Sequence, residues 1–248
     1  MMKRKAVKRL AAAGLALGFG ALACALPNRT TVGEVRTESQ SVDLGSASSA
    51  RVDLSFPAGE LRVEGGAGGL MDASFRYNVA DWQPQVDYSV QGSEGDLRIS
   101  QPGAEGGGFA DLGNVGDLVN DWTIQLGSGV PLDLTIQVGA GESTLNLGSL
   151  DLTRLSIETG AGISSVDLTG NWQHDVDVSI SAGVGELTVT LPAEVGVRVN
   201  PDTAVVSVTT SGLTQDGGGY VNSAFGTAPY TLTLDLEAGV GSVTLRVP

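Results

Sequence analysis

The stretch that decides the fold is residues 132–168, LDLTIQVGAGESTLNLGSLDLTRLSIETGAGISSVDL, in which one phrase occurs twice. In each copy apolar and polar residues alternate, a Gly-Ala-Gly corner follows, and a second alternating run completes the phrase. Alternation with a period of two is typical of β-strands, because successive side chains point to opposite faces. The phrase returns in residues 176–191, VDVSISAGVGELTVTL, and in residues 232–247, LTLDLEAGVGSVTLRV. The repeat therefore predicts strands that turn at glycine corners.

The spacing of the corners predicts a stack of strands. The corners begin at Gly139, Gly160, Gly183 and Gly239. If each corner belongs to one level of a stack, here called a rung, the last interval is long enough for two rungs and a loop. One strand cannot bury its apolar face alone, whereas stacked repeats bury it as a continuous ladder. We therefore predict an all-β fold, a β-solenoid or β-helix-like stack of short strands. An antiparallel β-sandwich is the alternative, because it would show a similar alternation.

Composition and charge limit the range of partners that the protein can have. The 248 residues include 36 glycines, 41% hydrophobic residues and only 5% aromatic ones, which suits many short strands with tight corners. Without residues 1–23 the chain keeps nine of its 14 basic residues, none of them lysine, and all 28 acidic residues, a net charge of about −19. This charge would repel phosphate backbones, so we expect no nucleic-acid partner.

The N-terminus has the features of an export signal. A basic region that ends at Arg9 precedes 14 apolar residues, 10–23, which are too few to span a bilayer comfortably. The sequence GALAC at 20–24 resembles a bacterial lipobox, in which cleavage leaves Cys24 as the lipid-bearing N-terminus. We predict an exported lipoprotein of the cell membrane or envelope that faces outside the cytoplasm and contacts the membrane through its lipid. A plain secretory signal and an uncleaved anchor are the alternatives.

The composition changes along the chain and predicts five segments. Alternating strands in the first half are interrupted by PGAEGGGFADLGNVGDLVND, which predicts a linker with at most a turn or two of helix. The segments are a lipoprotein signal peptide (1–23), a polar tether (24–50), an N-terminal β block (51–101), a glycine-rich linker (102–121) and the β-solenoid repeat block (122–248).

The residues that catalysis needs are scarce. His174 is the only histidine and Cys24 the only cysteine, so a Ser-His-Asp triad would have to use His174 and a zinc site would lack its usual ligands. No Gly-x-x-x-x-Gly-Lys-Ser/Thr phosphate loop occurs. The glycine-rich run that begins at Gly65 has Leu70 at the position where calcium-binding β-helix repeats have an aspartate. We predict no catalytic residue, no metal site and no cofactor.

Candidate binding residues lie where the repeat is interrupted. Residues 210–230, TSGLTQDGGGYVNSAFGTAPY, form a long glycine-rich excursion, and such loops are usually functional or mobile. Tyr220, Asn222 and Phe225 in this loop, together with Trp172, are the candidates for binding. The alternative is that the loop caps the open end of the stack, since a terminal rung needs cover.

Several phrases resemble the bacterial toast-rack family, which is related to the C-terminal domains of cell-wall-active-antibiotic response proteins and to β-helical adhesin-like proteins. They are PAGELRVEGGA at 57–67, VPLDLTIQVGAGESTLNLGSLDL at 130–152, GGGYVN at 217–222 and LEAGVGS at 236–242. The resemblance extends over nearly all of residues 51–248. It implies a right-handed β-helix-like stack, an envelope location and no known catalysis, and some relatives contribute to envelope-stress signalling through membrane partners.

These observations predict a non-enzymatic, lipid-anchored envelope protein that binds an unknown envelope protein or glycan, as an adhesive or stress-related module. One alternative is a carbohydrate-active enzyme on a β-solenoid, which needs two carboxylates that converge in a groove near a tryptophan. The other alternative is a modulator of a membrane stress sensor.

The lipobox generates the first testable prediction. We expect Cys24→Ser to move the protein from the membrane fraction to the soluble fraction, because the acidic body has no other evident attraction to an anionic membrane. Fractionation of bacteria that express the intact chain measures the shift, and Ala25→Ser, which leaves the cysteine in place, is the matched control. An identical distribution for both variants would contradict the lipid anchor.

Overall fold

A computed structural model describes residues 32–102, 118–170 and 172–248. The strands of these residues form one 13-stranded sheet, and the turn Ala80–Trp82 is a 3-10 helix. The predicted signal peptide, Cys24 and most of the predicted linker lie outside the described residues. Within them, no helix is long and apolar enough to cross a membrane.

The strands are numbered in chain order, and six of them are long. The long strands, β2, β7, β8, β9, β10 and β13, have 15–17 residues each. The bounds are β1 Val32–Val42, β2 Ser49–Gly65, β3 Met71–Val79, β4 Gln85–Gln91, β5 Glu94–Ser100, β6 Asn120–Leu126, β7 Pro131–Asn146, β8 Asp151–Asp167, β9 Val176–Thr190, β10 Gly196–Ser211, β11 Thr214–Asp216, β12 Gly219–Val221 and β13 Thr231–Arg246.

The six long strands are the rungs of a stack. Each rung has a first arm and a second arm on either side of its corner, and neighbouring rungs pair in parallel in the order β2, β7, β8, β9, β13, β10. Parallel pairing aligns equivalent inward side chains, each of which contributes about 1.5–3 kcal/mol when fully buried. One such ladder, at most 2% exposed, is Leu54, Ile136, Ile157, Ile180 and Leu236. The predicted all-β stack is confirmed, and the parallel rungs exclude the antiparallel sandwich.

The order of the rungs differs from the order of the sequence. β13 lies between β9 and β10, with Leu232 opposite Val176 and Thr231 opposite Gly196. The 56-residue interval between the last two corners therefore contains one rung, β10, and a loop, rather than two successive rungs. As a consequence the terminal rung is β10 and not the C-terminal strand.

β5 and β6 form a divided rung beside β2. β5 pairs with the first arm of β2, and β6 pairs with its second arm. Asn120 joins the two sides: its Nδ2 donates to the Ala58 carbonyl oxygen at 2.6 Å and to Gln101 Oε1 at 2.9 Å. Because β2 also pairs with β7, the two predicted β blocks share one sheet and one core.

Antiparallel strands cover the N-terminal end of the stack. β3 pairs with β1 and β6, and β4 pairs with β5. Phe56, Phe75 and Trp122 fill this end, with Trp122 packed edge to face against both phenylalanines at 5.1 Å between ring centroids. β1 lies within the segment predicted to be a tether. Its side chains are mostly exposed, so it lacks a buried apolar face and is held by the ladder of hydrogen bonds to β3.

The corner glycines allow the rungs to approach closely. Gly162 has a φ of +134°, and a Cβ on it would overlap the carbonyl oxygen of Gly141 on the neighbouring rung. The same relation recurs from Gly162 to Gly185 and from Gly185 to Gly241. An L side chain at these positions meets both backbone strain and a clash with backbone atoms that cannot move aside.

The two obstacles can be separated by three substitutions. We expect Gly162→Ala to destabilise the fold by about 2–4 kcal/mol, from backbone strain and overlap together. Gly66→Ala, with a φ of +123° but open space, should cost about 1–3 kcal/mol from strain alone. Gly129→Ala, in open space and without positive φ, should stay within about 1 kcal/mol of the wild type. Urea unfolding measures all three, and a Gly162→Ala cost no larger than that of Gly66→Ala would contradict close approach of the rungs.

Candidate functional site

A groove runs along the outer face of the first arms, beside the corners. Its wall is a ladder with one outward residue from each rung, and its floor is the next outward position. Two adjoining cavities of about 460 Å³ and 430 Å³, which share Ser181, make up this corner groove. The wall residues are Ser55, Gln137, Glu158, Ser181, Glu237 and Asp202, and the floor residues are Pro57, Gly139, Gly160, Gly183, Gly239 and Ala204.

The floor lacks large side chains because the rungs approach each other there. A Cβ on Gly160 would overlap the carbonyl oxygen of Gly139, and a Cβ on Gly183 would overlap that of Gly160. The wall side chains therefore stand beside bare backbone. Glu158 accepts a hydrogen bond from Gln137 Nε2 at 3.2 Å, which links the wall groups of neighbouring rungs.

The electrostatics of the groove select for polar or cationic ligands. Three wall residues, Glu158, Glu237 and Asp202, carry carboxylates, and none of the described lining residues is basic. The ring of Phe56 lies behind the groove at 1% exposure, so it offers no face for stacking. With one polar group on each rung, about 4.8 Å apart, the groove suits an extended chain that donates hydrogen bonds along the stack.

His174 belongs to a separate cavity, of about 350 Å³, at the connections between rungs. Its Nε2 lies 2.9 Å from Asp151 Oδ1, and its Nδ1 lies 2.9 Å from the carbonyl oxygen of Asp175. The hydrogen bond to that carbonyl, and next the one to the Asp151 carboxylate, raise the pKa of His174 above its usual value. The Asp175 carboxylate in turn accepts a hydrogen bond from the Thr231 amide at 2.8 Å. This bond ties the β8–β9 connection to the start of β13.

Trp172 lines the same cavity, but its ring is buried. It is 5% exposed, and its Nε1 donates to the Leu168 carbonyl oxygen at 3.0 Å. Trp82 and Trp122 are 2% and 1% exposed. The binding role of Trp172 stays a prediction, and the structure leaves little ring surface for a ligand.

The other three candidate residues lie at the opposite end of the stack from β1. Asn222 is 5% exposed, and its side chain bonds to the backbone of Val195 and Val197 at 2.7 and 2.9 Å. Tyr220 is partly buried on β12, which pairs with β10, and Arg198 lies 5.7 Å from the ring centroid of Phe225. The loop therefore packs on the terminal rung, and it is separated from Trp172 by the rungs β9, β13 and β10.

Sequence reasoning missed the groove, although part of its signal was visible. Gln137, Glu158, Ser181 and Glu237 each stand two residues before a Gly-Xaa-Gly corner. Aligning the corners would have placed these four side chains in one ladder. The other two wall residues belong to rungs with different corners, Pro-Ala-Gly in β2 and Ala-Val-Val in β10, so only the strand register reveals them.

Across residues 32–102, 118–170 and 172–248, no group of three or more His, Cys, Asp or Glu side chains converges. The acidic wall of the groove therefore spreads its carboxylates along the stack.

Comparison with known proteins identifies the family. The profile of the N-terminal domain of toast_rack, DUF2154, matches residues 31–190, which is more than half of the chain. The chain belongs to this toast-rack family. No curated protein matches it.

A solved structure shares the fold. A Clostridium sporogenes protein, named as a "putative cell adhesion protein", matches with a TM-score of 0.82 at 30% identity, over 87% of this chain and 100% of that chain. A "putative adhesin" of Parabacteroides distasonis matches over 87% of this chain and 98% of that chain, with 11% identity and a TM-score of 0.27. The second likeness is too weak to carry an argument.

The environment of His174 makes stability depend on pH. Because folding raises its pKa, the protonated ring stabilises the fold below the unfolded value of about 6.5, and this contribution is lost as the pH rises through the raised value. We expect the unfolding midpoint of the wild type to lie above that of His174→Gln. The difference between the two midpoints should be larger at pH 5.5 than at pH 8.5. Asp151→Asn should reduce that pH dependence, and a gap that is constant with pH would contradict the assignment.

Proposed function

We propose that this chain is a non-enzymatic, adhesin-like binding module, exported and held on the outer face of a cell membrane by a lipid on Cys24. The observation that carries the binding role is the similarity to the Clostridium sporogenes protein named as a "putative cell adhesion protein", which extends over 100% of that chain. The lipid anchor rests on the lipobox-like sequence at 20–24.

The geometry of the stack supports recognition of an extended polar partner, a glycan or a protein segment of the envelope. The corner groove offers carboxylate, amide and hydroxyl groups from consecutive rungs in a fixed register. Strand pairing already fixes the backbone of this ladder, so binding does not have to order a loop.

The buried tryptophans argue against the carbohydrate-active enzyme. That alternative requires convergent carboxylates beside a tryptophan ring that can stack on a sugar. Trp82, Trp122 and Trp172 are each at most 5% exposed, so none presents a ring face to the corner groove. Two groove carboxylates, Glu237 and Asp202, lie opposite each other on adjacent rungs, but no tryptophan is among the described residues that line the groove.

A sedimentation assay tests the binding role. We expect the protein, purified with Cys24→Ser, to co-sediment with cell-wall sacculi or membrane vesicles of the producing bacterium. Glu158→Lys should weaken this binding about tenfold or more, because it reverses the charge of a wall residue. The matched control is Glu34→Lys, which makes the same change on the exposed strand β1, away from the groove at one end of the sheet.

The outcome of the same assay separates the alternatives. Failure of the Cys24→Ser protein to sediment with either preparation would contradict an envelope-binding role. New reducing ends released from the sacculi would contradict the non-enzymatic assignment.

A further inference from the structure

Four strand edges of the sheet pair with no described strand: those of β1, β4, β11 and the second arm of β10. Charged side chains on an edge strand discourage pairing with another chain. β1 carries Glu34, Arg36 and Glu38, β4 carries Asp87 and β11 carries Asp216. Residues 203–211 of β10, TAVVSVTTS, carry no charge at all. This stretch, about 30 Å long at 3.3 Å per residue, is the unprotected edge of the sheet.

The core is also incompletely covered at this edge. Val206 and Val208 face inward but are only partly buried, whereas Val243 on the adjacent rung is 2% exposed. In the first arm of the same rung Val197 and Val199 are 0% exposed, because β12 and its loop lie against that arm. The second arm therefore lacks one layer that the first arm has.

We infer that residues 203–211 are a self-association edge, where β10 of a second copy pairs in antiparallel fashion about a twofold axis near Ser207. The inference rests on the proposed adhesive function for its purpose, and it names the partner as a second copy of the chain. β10 lies at the other end of the sheet from β1, so an anchor near the N-terminus would leave this edge directed away from the membrane.

Charge and side-chain pairing favour the second copy over another occupant. In this antiparallel pairing, each residue of the stretch 203–211 lies opposite an uncharged residue of the other copy. Val206 of each copy lies opposite Val208 of the other. Such β-branched cross-strand pairs stabilise a sheet and would cover the partly buried valines. Pairing with β1 of another copy would instead place Glu34, Arg36 and Glu38 along the apolar edge. The contact between two β10 strands is isologous, so the assembly closes at the dimer.

The oligomeric state tests the inference. The intact chain is purified with Cys24→Ser and its mass is followed by light scattering and sedimentation over a wide concentration range. We expect a concentration-dependent dimer. Ser207→Lys places two like charges opposite each other at the axis and should raise the dimer Kd at least tenfold, which corresponds to about 1.4 kcal/mol. Ser179→Lys, the same change at an exposed position inside the stack, should leave the dimer unchanged.

A charge-complementation experiment identifies the register. Ser207→Glu should also be monomeric alone, and an equal mixture of Ser207→Lys and Ser207→Glu should restore the dimer. Thermal unfolding of each variant verifies that the fold is intact. A Cys24→Ser protein that is monomeric at every concentration, or a dimer that persists when Ser207→Lys is added, would overturn the proposed edge.

Display on cells distinguishes this inference from the proposed function. Clumping of cells that display the wild type, and its loss with Ser207→Lys, supports both. A Ser207-sensitive dimer without clumping supports the edge and contradicts adhesion through it. Clumping that Ser207→Lys leaves intact contradicts adhesion through the edge and leaves the adhesive role standing.

Discussion

The rest of the structure depends on the close approach of backbones at the glycine corners. At the second glycine of a corner, the carbonyl oxygen of one rung occupies the space where the next rung would carry a Cβ. The parallel rungs can therefore follow one another at the normal strand spacing through a sharp bend, and both arms stay in register. That register aligns Ile136, Ile157 and Ile180 inside the stack. On the outside it leaves the corner groove.

Much of the fold could be predicted from sequence because the stack repeats its own signals. The alternation around Gly139 and Gly160 identifies the arms, and each Gly-Ala-Gly marks a corner. The position of β13 between β9 and β10 could not be predicted, since nothing local distinguishes the neighbour in space from the neighbour in sequence. β1 was assigned to a tether because a largely exposed strand has no apolar periodicity. Its stability comes from backbone pairing, which side-chain patterns do not report.

The candidate site was less predictable than the fold. Aromatic residues and loops attracted the sequence-based choice, yet Trp172 and Asn222 use their polar atoms to bond to the backbone of their own chain. The accessible polar groups belong to the regular part of the stack, where single residues such as Ser181 carry no chemical signature. They become a surface only when the register places them together. The two ends of the sheet differ as well: charged strands cover the N-terminal end, whereas one arm of β10 is bare and uncharged.

The order of the rungs is the central structural claim, and cysteine pairs test it most directly. Cys24 is the only cysteine, so a Cys24→Ser background is free of thiols. Ser179 lies opposite Asp235, and Asn200 lies one rung further on, opposite the other side of Asp235. Two cysteines form a disulfide when their Cα atoms lie within about 4.4–6.8 Å, which adjacent rungs satisfy and alternate rungs do not. Under mild oxidation we expect a disulfide in Ser179→Cys with Asp235→Cys and none in Ser179→Cys with Asn200→Cys. The reverse result would place β10 beside β9 and contradict the stack.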